Sequence, residues 1–247
     1  MSSANPFILN ISKRYPIFKK VFLYYNIYIR NFKFFFKNSQ FGEDKKILSL
    51  FNNIERGTYL DLGCFHPIRS NNTYLMYKKG WGGINIDLNP LTIELFNVAR
   101  PTDINICAAV SNKKSFKSLF FDNELSSLNT ISENHTLFLN KAFGKKDLKK
   151  RKIKTTTLKN ILNKCNIKEV DFMNIDIEGH ELEVLKNLDF KKLNIKVICV
   201  EIVDYENYSK KIKTNKNKIF KIMKKNNFIL KFKTFVNYIF VKKNVKI

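Results

Sequence analysis

From Gly57 onward, short apolar runs ending in acidic residues alternate with stretches of helical spacing. Thr58–Leu62 (TYLDL) reads as a buried strand stopped by Gly63, and Gly83–Leu88 (GINIDL) as a second. Between them Asn71–Lys79 has helical character, with Gly80 at its end. Pro90 suits the first turn of the next helix, LTIELFNV. Asn105–Val110 (NICAAV) is a third strand. Val170–Ile177 (VDFMNIDI) and Ile195–Val203 (IKVICVEIV) are two more, separated by the helical His180–Leu188. A Lys-rich helix near Lys216–Asn226 precedes two alternating runs, Phe228–Lys233 and Val236–Val241, which read as a closing antiparallel hairpin. The pattern predicts an α/β fold, a mostly parallel sheet with helices on both faces. Ser111–Thr157 carries poorer signals, and Gly144–Lys154 (GKKDLKKRKIK) reads as a basic, exposed, mobile segment.

The start of the chain has a different pattern. Residues 17–36 are strongly aromatic, and Phe18, Val21, Phe22, Tyr25, Ile29, Phe32 and Phe36 form one stripe at i, i+3, i+4 spacing. Lys19, Lys20, Arg30 and Lys33 interrupt it. The longest uncharged run, Val21–Ile29, is far short of the roughly 20 residues a membrane span needs. Two readings fit: a helix packing its stripe on its own domain or a partner subunit, or an in-plane amphipathic helix facing anionic lipid. The change of pattern divides the chain into a basic aromatic extension, 1–38, and a domain over 39–247. Met1–Ser12 lacks the basic start of a secretory signal, so a cytoplasmic protein, peripheral at most to the inner face of a membrane, is expected.

Composition narrows the chemistry. The 247 residues are 44% hydrophobic and 27% charged, enough to bury a core. Cys64, Cys107, Cys165 and Cys199 lie far apart with no Cys-x-x-Cys pair, which excludes a Cys/His zinc module and a disulfide-stapled scaffold. Cys64 reads as packing, Cys107 and Cys199 as buried strand residues. The net charge of +24 is nearly all Lys, alongside abundant Asn, Ile and Phe. An A/T-rich genome writes that combination into any protein, and a polyanionic partner selects for it equally.

Acidic residues are scarce, so their positions inform. Asp61, Asp87, Asp176 with Glu178, and Glu201 all fall at the carboxyl ends of predicted strands, where open α/β sheets bind ligands. The turn after the first strand is Asp61-Leu62-Gly63-Cys64-Phe65-His66-Pro67, without the G-x-G-x-x-G that seats a dinucleotide pyrophosphate. Asp87, 24 residues past Gly63, ends the second strand where a ribose-binding acid is expected. S-adenosylmethionine, with a ribose and no phosphate, suits this arrangement better than NAD.

Gly57–Pro90 (GTYLDLGCFHPIRSNNTYLMYKKGWGGINIDLNP) and Val170–Leu185 (VDFMNIDIEGHELEVL) closely resemble the FkbM family of S-adenosylmethionine-dependent methyltransferases, and Ser39–Asp44 (SQFGED) resembles its entry segment. The resemblance covers about residues 39–205. It implies a class I methyltransferase (Rossmann-like) fold and methyl transfer to a hydroxyl, commonly of a sugar or polyketide. It places Asp61 and Gly63 in the cofactor turn, Asp87 on the ribose, and Asn72 and Thr73 at the helix start bordering the cofactor. Asn89 and Val110 complete the expected cofactor set. Asp176, Glu178 and Gly179 match the D-x-E-G segment, and Glu201 the acid of the fifth strand. The later glycine usual in the cofactor turn of the wider superfamily is replaced here by the His66-Pro67 region, a branch variant.

A sugar hydroxyl needs a base, or a metal, to lose its proton. Asp176 and His180 are the expected bases, His66 competes for that task, and Glu178 orients. Asp176, Glu178 and Glu201 would be the oxygen ligands of a Mg²⁺ ion, if one is used. The expected partner is a sugar or glycan hydroxyl. Two rivals remain: an RNA ribose 2′-O-methyltransferase, which the charge favours but for which no RNA-binding module is visible, and a non-catalytic membrane- or glycan-binding protein on the same scaffold.

Overall fold

All but one of the apolar runs become single strands, within a residue or two. The computed structural model describes residues 15–36, 39–145, 147–203 and 215–245. Strands β1 (Thr58–Leu62), β2 (Gly82–Asp87), β3 (Ile104–Cys107), β7 (Glu169–Ile175), β8 (Asn194–Glu201), β9 (Phe228–Lys233) and β10 (Asn237–Lys242) make one seven-stranded sheet in the order β3-β2-β1-β7-β8-β10-β9. The first five are parallel; β10 runs antiparallel to both β8 and β9. This is the class I methyltransferase arrangement, with the expected closing hairpin. Its strand order reverses beside β1, where β7 is the other neighbour.

Alternation along each strand explains why both faces are dry. Leu60, Leu62, Ile84, Ile86, Ile175 and Val200 point into one layer, and Tyr59, Phe172, Val197, Cys199 and Ile239 into the other. Each such side chain contributes about 1.5–3 kcal/mol by leaving water. The helices covering the sheet begin at polar caps. Asn89 accepts the Leu91 N–H (2.9 Å) ahead of α4 (Pro90–Ala99). Thr157 accepts the Asn160 N–H (3.2 Å) ahead of α6 (Leu158–Lys164). The helix expected over 71–79 is shorter, α3 (Tyr74–Lys78). Two further helices, α7 (Glu181–Lys186) and α8 (Lys216–Lys225), sit near the predicted places.

The run NICAAV is not one strand. It breaks at Ala108: β3 stays in the large sheet, while β4 (Ala109–Val110) joins a second sheet in the order β4-β6-β5 with β5 (Ser115–Phe121) and β6 (Lys149–Thr156). Cys107 is therefore exposed at an outer strand, contrary to expectation. The segment expected to be loose contains most of β6, whose basic side chains are exposed. Phe116 and Phe120 of β5 lie beneath Lys152 (4.9 Å) and Lys150 (5.3 Å), so a lysine-rich strand gains cation–π contacts that replace apolar pairing. Helix α5 (Glu133–Phe143), capped by Ser132, connects β5 and β6.

At the start, α1 (Pro16–Tyr24) runs into a π-helical turn (Tyr25–Ile29) and a 3₁₀ turn (Phe32–Phe35). Phe22, Leu23 and Ile27 pack on Ile68, Tyr74 and Leu95. The Lys19 ammonium reaches Glu94 at 2.7 Å. Of the predicted stripe only Phe22 is buried: the face turned inward is the neighbouring one, Phe22, Leu23, Asn26 and Ile27 at i, i+4 spacing. No helix among the described residues is long and apolar enough to cross a membrane. Residues 1–12, read for a signal, lie outside the described residues. The short helix α2 (Glu43–Leu48) follows, and its buried Glu43 carboxylate accepts from Thr234 (2.7 Å) and Asn237 (3.1 Å) in the C-terminal hairpin.

Candidate active site

The carboxyl ends of β1, β2, β7 and β8 surround a cavity of about 1090 Å³, whose wall includes Asp61, Asp87, Asp176, Glu178, His180 and Glu201. The scarce acids therefore converge. Gly63 (φ +76) turns the chain out of β1, and the Asp176 N–H donates to the Leu62 carbonyl (3.0 Å), which joins the β1 and β7 corners.

Asp87 ends β2. Its two oxygens accept the main-chain N–H of Phe65 (3.0 Å) and of Asn89 (2.8 Å), which ties the β1 turn to the start of α4. Burial, more than these two bonds can offset, pushes its carboxyl up to about 6. Each oxygen keeps a second lone pair for a hydroxyl donor. Leu88, Ala108 and Val110 add an apolar surface to the same wall. An acceptor-only carboxylate beside an apolar slot fits the ribose and base of a nucleoside, so the residues present suit S-adenosylmethionine.

Asp61 plays a different part. Fully buried, it accepts from Asn174 (2.9 Å), Asn71 (3.2 Å) and Thr73 (2.9 Å), and burial raises its pKa. Arg100, also fully buried, donates to the Thr73 hydroxyl and to Asn71 Oδ1, each at 2.8 Å, and lies over the Phe96 ring. Charge inside the fold is thus balanced through two neutral side chains. Asn174 in turn accepts from Asn72 (3.1 Å), which reaches the cavity wall. Thr73 does not reach it: its hydroxyl is spent between Asp61 and Arg100, so its expected cofactor contact is corrected to a supporting role.

Across the cavity, the carboxyl groups of Asp176 and Glu201 lie close together at the ends of β7 and β8. Burial, with added repulsion from Glu178, raises Asp176; burial and then Asp176 raise Glu201. Two carboxyl groups so placed resist ionising together, so the pair holds a proton more readily than an ordinary carboxylate. Glu178 and Gly179 (φ 53 and 92) swing the chain away, and the Glu178 carboxylate meets His135 Nε2 at 3.0 Å. The neighbouring Glu181 accepts the N–H groups of Ile177 (3.1 Å) and Gly179 (3.0 Å), which fixes this turn. The Mg²⁺ ligand set is corrected on that geometry. Glu178 is turned to His135, and among the described residues no three His, Cys, Asp or Glu side chains come together to hold a metal ion.

His180 is buried with Nε2 3.0 Å from the Ser111 hydroxyl and 3.4 Å from Lys117. Burial and then Lys117 press its pKa down to about 4, so it is neutral and weakly basic. His66 accepts the N–H groups of Ile68 (3.1 Å) and Arg69 (3.0 Å) and faces Asn31 (3.1 Å). It is absent from the cavity wall, and burial drives its pKa to about 3. The role of base is corrected for it. Cys64 is buried on Ile93 and Phe96, and burial holds its thiol protonated.

A model of the methyltransferase FkbM domain matches residues 57–230. The chain belongs to this family. As a FkbM-domain protein it is an S-adenosylmethionine-dependent methyltransferase by family. No curated protein sequence matches it. Among solved structures it is similar to a TehB-like SAM-dependent methyltransferase from Corynebacterium glutamicum ATCC 13032 Kitasato, at 14% identity and TM-score 0.42, covering 97% of this chain and 100% of that one. It is also similar to a SAM-dependent methyltransferase from Aquifex aeolicus, at 14% identity and TM-score 0.38, covering 80% and 86%.

Sequence reasoning on this FkbM domain missed His135, Asn174, Arg100, Ser111 and Glu181. His135 and Arg100 carried a usable signal: the chain has three histidines, and its arginines are few. Asn174 and Ser111 carried none, being common residue types in an Asn-rich chain.

Proposed function

We propose that this FkbM protein methylates a hydroxyl oxygen, of a sugar in a glycan or glycoconjugate. The observation that carries the reading is the Asp176–Glu201 pair at the ends of β7 and β8. S-adenosylmethionine, when bound, supplies a methyl group already activated on sulfonium. Asp87 then binds the ribose hydroxyls, with Asn89 holding the adjoining turn. Asn72 and Asn174 keep the Asp61 corner rigid. The remaining task is to remove the acceptor's proton, and a carboxyl pair with raised affinity is a better base than an ordinary carboxylate. Neutral His180, steadied by Ser111, lines the same cavity and orients the acceptor. A cavity of about 1090 Å³ has room for a sugar beside the nucleoside.

The cytoplasm is the compartment we assign, on the spacing of four cysteines that form no disulfide framework in the sequence. The test is mass spectrometry of glycans from cells with and without the gene, looking for loss of one methyl group from a sugar residue. Purified protein with methyl-labelled cofactor is then offered the unmethylated glycan and RNA. Label entering ribose of RNA instead would install the RNA reading, and no cofactor binding by calorimetry would leave only a scaffold.

A further inference from the structure

The first described segment carries apolar residues on both of its sides. A helix apolar all round is normally buried on both sides. Here Phe22, Leu23 and Ile27 are buried on the domain, while Ile17, Phe18, Val21, Ile29, Phe32 and Phe36 stand open to solvent; Ile17 is 72% exposed and Phe36 80%. Beside them, ring contacts run from Tyr24 to Tyr28 (5.6 Å), on to Phe35 (6.0 Å), then through Phe32 (6.2 Å) to Phe36 (5.7 Å). Contiguous apolar surface of this kind marks a contact site.

Charge identifies the occupant. Every charged residue before Glu43 is Lys or Arg. A second copy would set these cations against their own kind. A nucleic acid would satisfy the cations but leave Ile17, Val21 and Ile29 wet. An anionic lipid surface meets both demands, taking the aliphatic and aromatic side chains below the headgroups and the lysines among them. We propose that residues 15–36 seat this protein in-plane on a negatively charged bilayer. The same segment supplies Arg30, Lys33 and Phe34 to the cavity wall, so the seat is continuous with the active site. The proposal is independent of which acceptor is methylated.

The experiment is sedimentation of the full chain with vesicles of phosphatidylcholine alone or with phosphatidylglycerol added, across a salt series. Binding to the anionic vesicles only, weakening with salt, is expected. A Phe18→Ser/Val21→Ser/Ile29→Ser variant should lose binding, and Lys20→Glu should weaken it about tenfold. Both should retain the parent's circular dichroism, melting temperature and cofactor affinity, because none of these side chains packs on the domain or lines the cavity. A parent that ignores anionic vesicles, or a serine variant that pellets as well as the parent, overturns the proposal. So does a parent dimer that the serine substitutions split, which would hand this face to a second copy.

Discussion

The Cα of Gly63 faces the main-chain carbonyl of Asp176 so closely that an added Cβ would lie 1.7 Å from its oxygen. That approach lets the β1 turn and the D-x-E-G turn share one corner. The residue also has φ +76, which side chains other than glycine's rarely adopt. Gly63→Ala is expected to cost about 3 kcal/mol or more, since backbone must move. Gly42→Ala is the matched control: φ is +80 but nothing lies within 4 Å, so about 1 kcal/mol is expected. Urea melts of the two variants measure the difference.

Asp87→Ala should weaken cofactor binding by about 10- to 100-fold, the loss of charge-assisted hydrogen bonds to hydroxyls, while circular dichroism stays that of the parent. Because the carboxyl titrates at about 6, affinity in the parent should fall as pH drops through that value. Calorimetry between pH 5 and 8 reads it; an affinity flat across this range would remove Asp87 from the ribose.

Asp176→Asn and Glu201→Gln should each lower kcat by about 10²- to 10⁴-fold with the cofactor Kd little changed, the signature of a lost proton acceptor. Either variant turning over at the parent rate would take the pair out of the mechanism. His180→Asn should mainly raise the acceptor KM, which separates orientation from proton removal.

His66 offers a pH test of stability. Its folded pKa, about 3, lies below the 6.5 of an unfolded histidine, so its contribution is complete above 6.5 and lost as pH falls toward 3. Between pH 7 and 5 the parent should lose about 2 kcal/mol through this residue. His66→Asn should be less stable at pH 7 yet show a shallower fall toward pH 5. Parallel stability curves for the two proteins would contradict the buried neutral imidazole.

Much of this was written in the chain. TYLDL and FILKFK became strands at the predicted residues, the first because a strand covered on both faces is a short apolar run, the second because an edge strand alternates. The converging acids were legible because a lysine-rich chain spares few carboxylates. The β5–β6 pair was not legible, since cation–π contacts between Lys152 and Phe116 leave no apolar period to read. Nor was the split between Asn72, which reaches the cavity, and Thr73, which does not: the direction of Thr73 is set by Arg100, 27 residues further on. The N-terminal stripe was periodic in sequence, but an adjacent face, Phe22, Leu23, Asn26 and Ile27, is equally periodic and is the one that packs.

The bond between Glu43 and Thr234 spans 191 residues. During synthesis the buried carboxylate emerges early and its hydroxyl donor among the last. Until then Ile47 and Phe51 have no closed layer to enter, for Ile239 of the same cluster has not left the ribosome either. The helix α2, made early, is thus among the last to dock, and a nascent chain stalled before the hairpin leaves its apolar face open.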